Sequence, residues 1–183
     1  VHWRKDGTSF PVEYWSHPMY RNGELVGVVI NFIDISQRKR AEEALRESEA
    51  RFRAMAEQSA DWIWSLDLHG QRTYSNRRGA ANLGLTDEEF HAQDCASLVH
   101  PDDLALFRET IDTATSGKQG WTNVVLRWRH RNGQYRILES NASPLFDEAG
   151  ALIGFQGVDR DITERRQAEE RIEFLAHHDA LTG

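Results

Sequence analysis

The residues of this chain that could do chemistry do not form a recognisable catalytic arrangement. A thiol stands at Cys95, an amide at Gln156, and residues 177–179 read His-His-Asp. Adjacent histidines on a helix point about 100° apart, so they form a poor metal chelate. The sequence shows no pairing of a nucleophile with a base and no glycine-rich phosphate loop. This pattern favours a regulatory chain without catalytic residues and without a metal site.

A second group of residues follows from strand alternation, since successive side chains point to opposite faces of a sheet. In residues 124–129, Val124, Leu126 and Trp128 share one face while Arg127 and Arg129 lie on the other. We expect the apolar face to point inward. The same alternation selects residues from three other strands, including Gln156, whose amide would need a buried partner. Together with Cys95, the candidates for a ligand cleft are Trp64, Leu66, Cys95, Leu126, Trp128, Leu138, Ser140 and Gln156.

These candidates need a sheet and helices to position them. Turn signals at His69-Gly70, Asn132-Gly133 and residues 147–150 separate five predicted strands. Between the second and third strands, Thr86 and Glu89 have the spacing of a capping box, and residues 101–117 carry helix start and stop signals. The order predicts an α+β fold, in which a five-stranded antiparallel sheet has short helices on one face.

A short pattern occurs twice: Asp-Ile-Ser/Thr, followed shortly by Ala-Glu-Glu. The copies start at Asp34 and Asp161, and each follows three predicted strands and precedes a predicted helix. Ser36 and Thr163 are suited to cap the helix N-termini through their hydroxyls, and the aspartates add negative charge beside the positive helix ends. We predict that Asp34, Ser36, Asp161, Ile162 and Thr163 transmit a signal from a sheet to a helix.

Both predicted helices carry short heptad-like repeats. The apolar members include Leu45, Phe52 and Met55 in the first helix, and Ile172 and Leu175 in the second. Each seam also contains small or polar members, so it would be weak alone. The pattern predicts flanking coiled-coil helices and a homodimer.

Composition limits the class of protein. The chain of 183 residues has a net charge of -7 and 39% apolar residues, without a dominant block of like charge. This balance argues against a nucleic-acid surface. Its single cysteine fits a reducing, cytoplasmic compartment. No apolar run is long enough to span a membrane, so we expect no membrane contact in this segment. We expect a piece of a longer protein, whose upstream part could be membrane-anchored.

The segments LDLHGQRTYSN, LVHPDD and RWRHRNGQYRILESNASPLFDEAGALIGFQGVDRDITERR resemble a PAS domain with its C-terminal PAC segment. The resemblance implies a complete PAS/PAC domain at 57–163, the last strands of a truncated upstream PAS domain at 1–35, and a linking helix at 36–56. LAHHDALTG resembles the opening segment of GGDEF-type diguanylate cyclase domains, so 164–183 would be an output helix leading into such a domain. The implied function is a sensory module in cyclic-di-GMP signalling.

The sequence does not decide whether the predicted cleft binds a cofactor. IGFQ is similar to the IGVQ of flavin-binding LOV domains, a subset of the PAS family, and Cys95 falls near their adduct-forming cysteine. However, Trp128 and Leu138 stand where that pattern has amides, and a tryptophan would fill the space of the flavin ring. Haem usually needs an axial histidine, which residues 104–117 lack. The main expectation is no cofactor, with two alternative functions: a ligand-free dimerisation module, or a flavin- or haem-binding sensor.

Overall fold

The computed structural model describes residues 1–179, of which 177–179 are described by their backbone alone. The predicted GGDEF segment therefore lies in part outside the described residues. Chain contacts divide the protein into two units, Val1–Ala54 and a second unit from Met55 onward.

The first unit contains antiparallel strand pairs and most of a long helix. Its strands are β1 (His2–Trp3), β2 (Ser9–Phe10), β3 (Val12–Arg21) and β4 (Glu24–Asp34), and its helix is α1 (Ser36–Gln58). β3 and β4 form a hairpin closed at Asn22-Gly23, where both residues have positive φ, as this type of tight turn requires. Many apolar side chains of the hairpin are exposed, Ile30 and Phe32 among them.

The second unit is built on one antiparallel sheet. Its strands are β5 (Trp62–Asp67), β6 (Arg72–Ser75), β7 (Trp121–Arg129), β8 (Tyr135–Phe146) and β9 (Leu152–Asp161). They are hydrogen-bonded in the order β6-β5-β9-β8-β7, which places β9 at the centre of the sheet. The first and last strands of the chain order are thus neighbours, because β5 pairs with β9. This sheet confirms the predicted α+β fold.

Short helices fill the connection between β6 and β7. They are α2 (Arg78–Leu83), α3 (Asp87–His91), α4 (Cys95–Leu98), a 3-10 turn (Pro101–Asp103) and α5 (Leu104–Gly117), while α6 (Thr163–Asp179) follows β9. The capping box predicted at α3 is present, since Thr86 accepts from the Glu89 backbone and the Glu89 side chain accepts from the Thr86 backbone. At the start of α5, Asp103 accepts from both the backbone and the guanidinium of Arg127 on β7.

The core of this unit lies between one sheet face and the short helices. The helices supply Leu83, Phe90 and Leu98, all of which are almost completely buried. The sheet supplies a group of aromatic residues together with Leu126 and Leu138. Tryptophan side chains thus form much of the core, and their large rings determine the shape of the cavity that remains between the sheet and the helices.

In the described part of the chain, no helix is both long enough and apolar enough to cross a bilayer.

Candidate functional site

A small cavity lies in the core, between the inner face of the sheet and α5. Its volume is about 30 Å³, and we call it the tryptophan cavity because Trp62, Trp64, Trp121 and Trp128 all line it. Six of the predicted cleft residues also line it, namely Trp64, Leu66, Cys95, Leu126, Trp128 and Ser140. Leu138 is fully buried in the same core cluster, without lining the cavity. The members of this set on β5, β7 and β8 therefore lie on the sheet face that strand alternation predicts, while Cys95 reaches the cavity from α4.

The prediction for Gln156 is wrong. Gln156 is exposed, and its neighbours Phe155 and Gly157 face the core instead. Assigning the wrong parity to a strand moves every side chain to the opposite face. On β9 the error arose because two glycines, Gly154 and Gly157, leave the alternation of apolar residues hard to read. Gln156 therefore cannot contact a ligand in the tryptophan cavity.

With the correct parity of β9, a carboxylate that was not among the predicted cleft residues lies in the cavity. Asp159 is 2% exposed and lines the tryptophan cavity. The indole Nε1 of Trp64 donates to Asp159 Oδ1 at 2.8 Å. Burial raises the pKa of Asp159 to about 6, although hydrogen bonds from Ser140 and Trp64 oppose this rise. It lies two residues after Gly157, which pairs with Trp64 and faces inward, and no local sequence signal marks that parity.

The indole rings are arranged in two pairs. Trp64 and Trp121 are stacked, with ring centroids 5.8 Å apart and an interplanar angle of 24°. Trp62 and Trp128 meet edge to face at 5.4 Å. Trp121 Nε1 donates to Ser140 Oγ at 3.0 Å, which leaves the Ser140 hydroxyl proton for Asp159. A continuous polar path thus runs from Trp121 through Ser140 to Asp159 and Trp64.

Gly157 makes this arrangement possible. A Cβ at this position would lie 2.4 Å from Cζ2 of Trp64 and 2.6 Å from the carbonyl oxygen of Asn141. Such distances are too short for any contact between a carbon and these atoms. A glycine at the centre of β9 therefore allows the Trp64 ring to lie flat across the sheet.

Cys95 has the environment of an unreactive thiol. It is buried, and burial raises the pKa of its thiol, while the Arg72 guanidinium lowers the pKa only in part. Arg72 itself donates to the carbonyl oxygens of Phe90 and Gln93. Because the thiolate is the nucleophilic form, Cys95 is suited to packing and not to adduct formation.

Three of the predicted transmission residues, Asp161, Ile162 and Thr163, lie together at the junction of β9 and α6. The Thr163 backbone N–H donates to Asp161 Oδ1 at 2.9 Å, so the carboxylate caps the start of α6. The Thr163 hydroxyl takes a different role from the predicted cap, because it accepts from the backbone N–H of Ile137 on β8 at 2.9 Å. The Ile162 N–H donates to the Ile137 carbonyl, and the Ile162 side chain is buried. The first turn of α6 is therefore fixed to two strands.

The first unit repeats part of this junction. The Ser36 N–H donates to Asp34 Oδ1 at 2.8 Å, and the Ile35 N–H donates to the Pro11 carbonyl. The Ser36 hydrogen bonds hold the pKa of Asp34 below its usual value. The repeated sequence pattern thus forms a repeated connection between a strand and a helix.

Among residues 1–176, whose side chains the structure describes, no cluster of three or more His, Cys, Asp or Glu is placed to hold a metal ion. The side chains of His177 and His178 lie outside that description.

Comparisons with known proteins agree with this architecture. A family model described as PAS fold matches residues 72–159, and a model described as PAS domain matches residues 1–37. The PAS domain of an HTR-like protein from Haloarcula marismortui is 26% identical, with a TM-score of 0.54 over 68% of this chain and 99% of that structure.

Three curated relatives extend the likeness to most of the chain. Protein y4lL of Sinorhizobium fredii is 34% identical over 157 residues, which are 82% of this chain and 19% of the relative. Probable diguanylate cyclase DgcE of Escherichia coli is 25% identical over 181 residues, which are 97% of this chain and 16% of the relative. Sporulation kinase A of Bacillus subtilis is 27% identical over 171 residues, which are 91% of this chain and 27% of the relative. The chain thus spans less than a third of each of these relatives.

The five-stranded sheet, the helices packed on one of its faces and both family matches lead to one conclusion: the chain belongs to the PAS family of sensor domains.

Proposed function

We propose that this chain is a sensory module that converts an event in the tryptophan cavity into a change at the start of α6. One observation carries the proposal: β9 holds Asp159 in the cavity and, two residues later, Asp161 at the helix junction. A change in the position of Asp159 would shift the strand that also carries the cap of α6. The mechanism is a shift between populations of two conformations, in which a ligand or partner favours one of them.

We further propose that α6 passes the signal to a diguanylate cyclase domain. The segment LAHHDALTG resembles the start of such domains, and the relative DgcE is named as a probable diguanylate cyclase. The likeness to Sporulation kinase A makes a kinase the alternative effector. In this proposal, residues 57–163 are the sensor, 36–56 form a signalling helix, 164–183 form the output helix and the start of the effector domain, and 1–35 belong to an upstream PAS domain.

Two chains would act together in this proposal. Leu45 and Met55 on α1, and Ile172 and Leu175 on α6, are all more than half exposed. Their spacing is that of a short coiled-coil seam, which could be completed by the same helix of a second chain. A rotation of paired α6 helices would then bring two effector domains together or hold them apart. This arrangement requires a homodimer, and the proposed location is the cytoplasm.

The relay is tested in a fusion of residues 1–183 to a diguanylate cyclase catalytic domain. We expect the double variant Asp161→Ala/Thr163→Ala to change cyclic-di-GMP production severalfold, because it removes the cap and the link to Ile137. Gln167→Ala, an exposed position on α6, is the matched control and should leave production unchanged. Equal activity of the double variant, the control and the parent fusion would show that the junction does not transmit.

A ligand-free dimerisation module remains the second candidate, and the small volume of the tryptophan cavity favours it. A drug-sized or cofactor-sized ligand usually occupies roughly 300–1,000 Å³, far more than the 30 Å³ present here. A flavin- or haem-binding sensor would require the tryptophan rings to move. The absorption spectrum of the purified chain separates these cases, since either cofactor gives a visible band and a ligand-free module gives none.

A further inference from the structure

The carboxylate of Asp159 is buried without a cation beside it. Its hydrogen-bond partners, Trp64 and Ser140, are both neutral, and burial is the main influence on its pKa. None of the ion pairs found among the described residues includes Asp159. A buried charge is strongly unfavourable unless an opposite charge or a proton compensates it. The site therefore has an unmet preference for a positive charge.

The walls of the tryptophan cavity have the same preference. Trp64 and Trp121 present stacked rings, and Trp62 and Trp128 a perpendicular pair, around the space into which Asp159 faces. The face of an indole ring carries partial negative charge and attracts cations, most of all where water is excluded. Aromatic rings around a carboxylate are the chemistry of a site for an organic ammonium ion.

The size of the cavity limits that ion. A water molecule needs about 10–15 Å³ of such space, so the 30 Å³ available fits one or two non-hydrogen atoms. Ammonium and methylammonium are of this size, while tetramethylammonium and amino acids are larger. Thr110 of α5 also lines the cavity, and because its hydroxyl donates to the Leu106 carbonyl, its oxygen can still accept from an ammonium N–H.

We propose that the tryptophan cavity binds a small primary ammonium ion, of the size of ammonium or methylammonium, with its N–H groups directed at Asp159 and its charge enclosed by indole faces. This inference rests on the sensory function proposed above and names the class of its ligand.

Tryptophan fluorescence of the 183-residue chain tests the proposal directly. Methylammonium chloride is titrated at constant ionic strength against sodium chloride, in an amine-free phosphate buffer at about pH 7.5. We expect a saturable change in fluorescence with methylammonium and none with tetramethylammonium. Asp159→Asn should bind about 10- to 100-fold more weakly, because a hydrogen bond to a charged group is stronger than one to a neutral amide. Gln156→Ala, on the outer face of the same strand, should bind like the parent chain.

A pH series decides the question even if Asp159→Asn does not fold. Cys95 and Asp159 are the two titratable residues lining the cavity, and the buried thiol is uncharged throughout this range. Affinity should therefore follow the ionisation of Asp159 and fall about tenfold between pH 7.5 and pH 5. An affinity that does not depend on pH, or a change that is equal in sodium chloride, would overturn the assignment.

The outcomes also separate this inference from the relay. If methylammonium does not bind while the Asp161→Ala/Thr163→Ala fusion still differs from its control, the ligand class is wrong and the relay stands. If methylammonium binds and the junction variants have no effect, the ligand class stands and the relay is wrong.

Discussion

The indole nitrogen of Trp64 on β5 lies 2.8 Å from the carboxylate of Asp159 on the neighbouring strand β9, and both residues are almost fully buried. The bond connects the first and last strands of the second unit across the middle of the sheet. The same contact holds the buried carboxylate of Asp159 at the edge of the tryptophan cavity.

Replacing Asp159 should change the dependence of stability on pH. The pKa of Asp159 is raised from 3.8 to about 6, so between these values the folded state keeps a proton that the unfolded state has lost. The free energy of unfolding contributed by this group therefore falls as pH rises from about 4 to about 6, by roughly 3 kcal/mol in total. Asp159→Asn has no carboxylate to titrate. Its free energy of unfolding should therefore rise relative to that of the parent chain over the same pH range.

Urea unfolding at several pH values, in amine-free buffer, measures this difference. Glu148→Gln, in an exposed turn, is the control for removing a carboxylate, and its difference from the parent chain should stay small and nearly constant. If the difference between Asp159→Asn and the parent does not change between about pH 4 and pH 6, Asp159 is not the buried, uncompensated carboxylate described here.

Gly157→Ala should destabilise the second unit. The added methyl group would overlap Trp64 and the Asn141 carbonyl, and neither can move without disturbing the sheet. Overpacking of this kind costs about 1–3 kcal/mol, and the displaced indole should alter the near-ultraviolet circular dichroism. Gly117→Ala is the control, since the methyl group there meets only the flexible side chain of Gln119. A stable Gly157→Ala variant with an unchanged spectrum would contradict the close packing of Trp64.

Thr163→Val should weaken the connection between β8 and α6. The substitution keeps the branched shape and removes the buried Thr163 hydroxyl, so the partly buried Ile137 N–H loses its acceptor. An unsatisfied buried donor costs about 1–3 kcal/mol, which urea unfolding resolves. Thr115→Val, at an exposed position in α5, provides the comparison. Equal stability of the two variants would mean that the Thr163 hydroxyl is not needed at the junction.

Cys95 should react slowly with thiol reagents in the folded protein. Burial raises the pKa of the thiol and also blocks access, so a disulfide reagent at about pH 7.5 should modify it far more slowly than after unfolding in urea. The chain has one cysteine, so the rate reports on this site alone. Equal rates in the presence and absence of urea would show that the site opens readily.

The sequence was informative where strands alternate in a simple way. On β7, Leu126 and Trp128 alternate with arginines, and burial of the apolar face follows from the hydrophobic effect alone. On β9 the inward positions after Phe155 hold a glycine and an aspartate, and neither has a large apolar side chain that would mark a core position. Only the pairing with β5, which places Gly157 opposite Trp64, fixes the parity of that strand. The face that each β9 side chain occupies is therefore set by contacts with a strand distant in sequence, and the local pattern does not reveal it.

The junction also showed the limit of local rules. Sequence predicts that Thr163 caps α6, because threonine is a common capping residue. In the structure the carboxylate of Asp161 serves as the cap, and the hydroxyl of Thr163 bonds to β8, a partner 26 positions away in sequence. Both residues lie at the junction, and the role of each depends on which strand lies beside the helix start.

The connection at Asp161 and Thr163 uses backbone groups of β8 and two short side chains, and it shares no side chain with the lining of the tryptophan cavity. Mutations that alter the cavity can therefore accumulate without changing how the helix is attached. Such a separation would let one lineage of sensors exchange the molecule it recognises and retain its output. It also explains how the same few residues can recur at Asp34 and Ser36, after a strand pair with a different sequence.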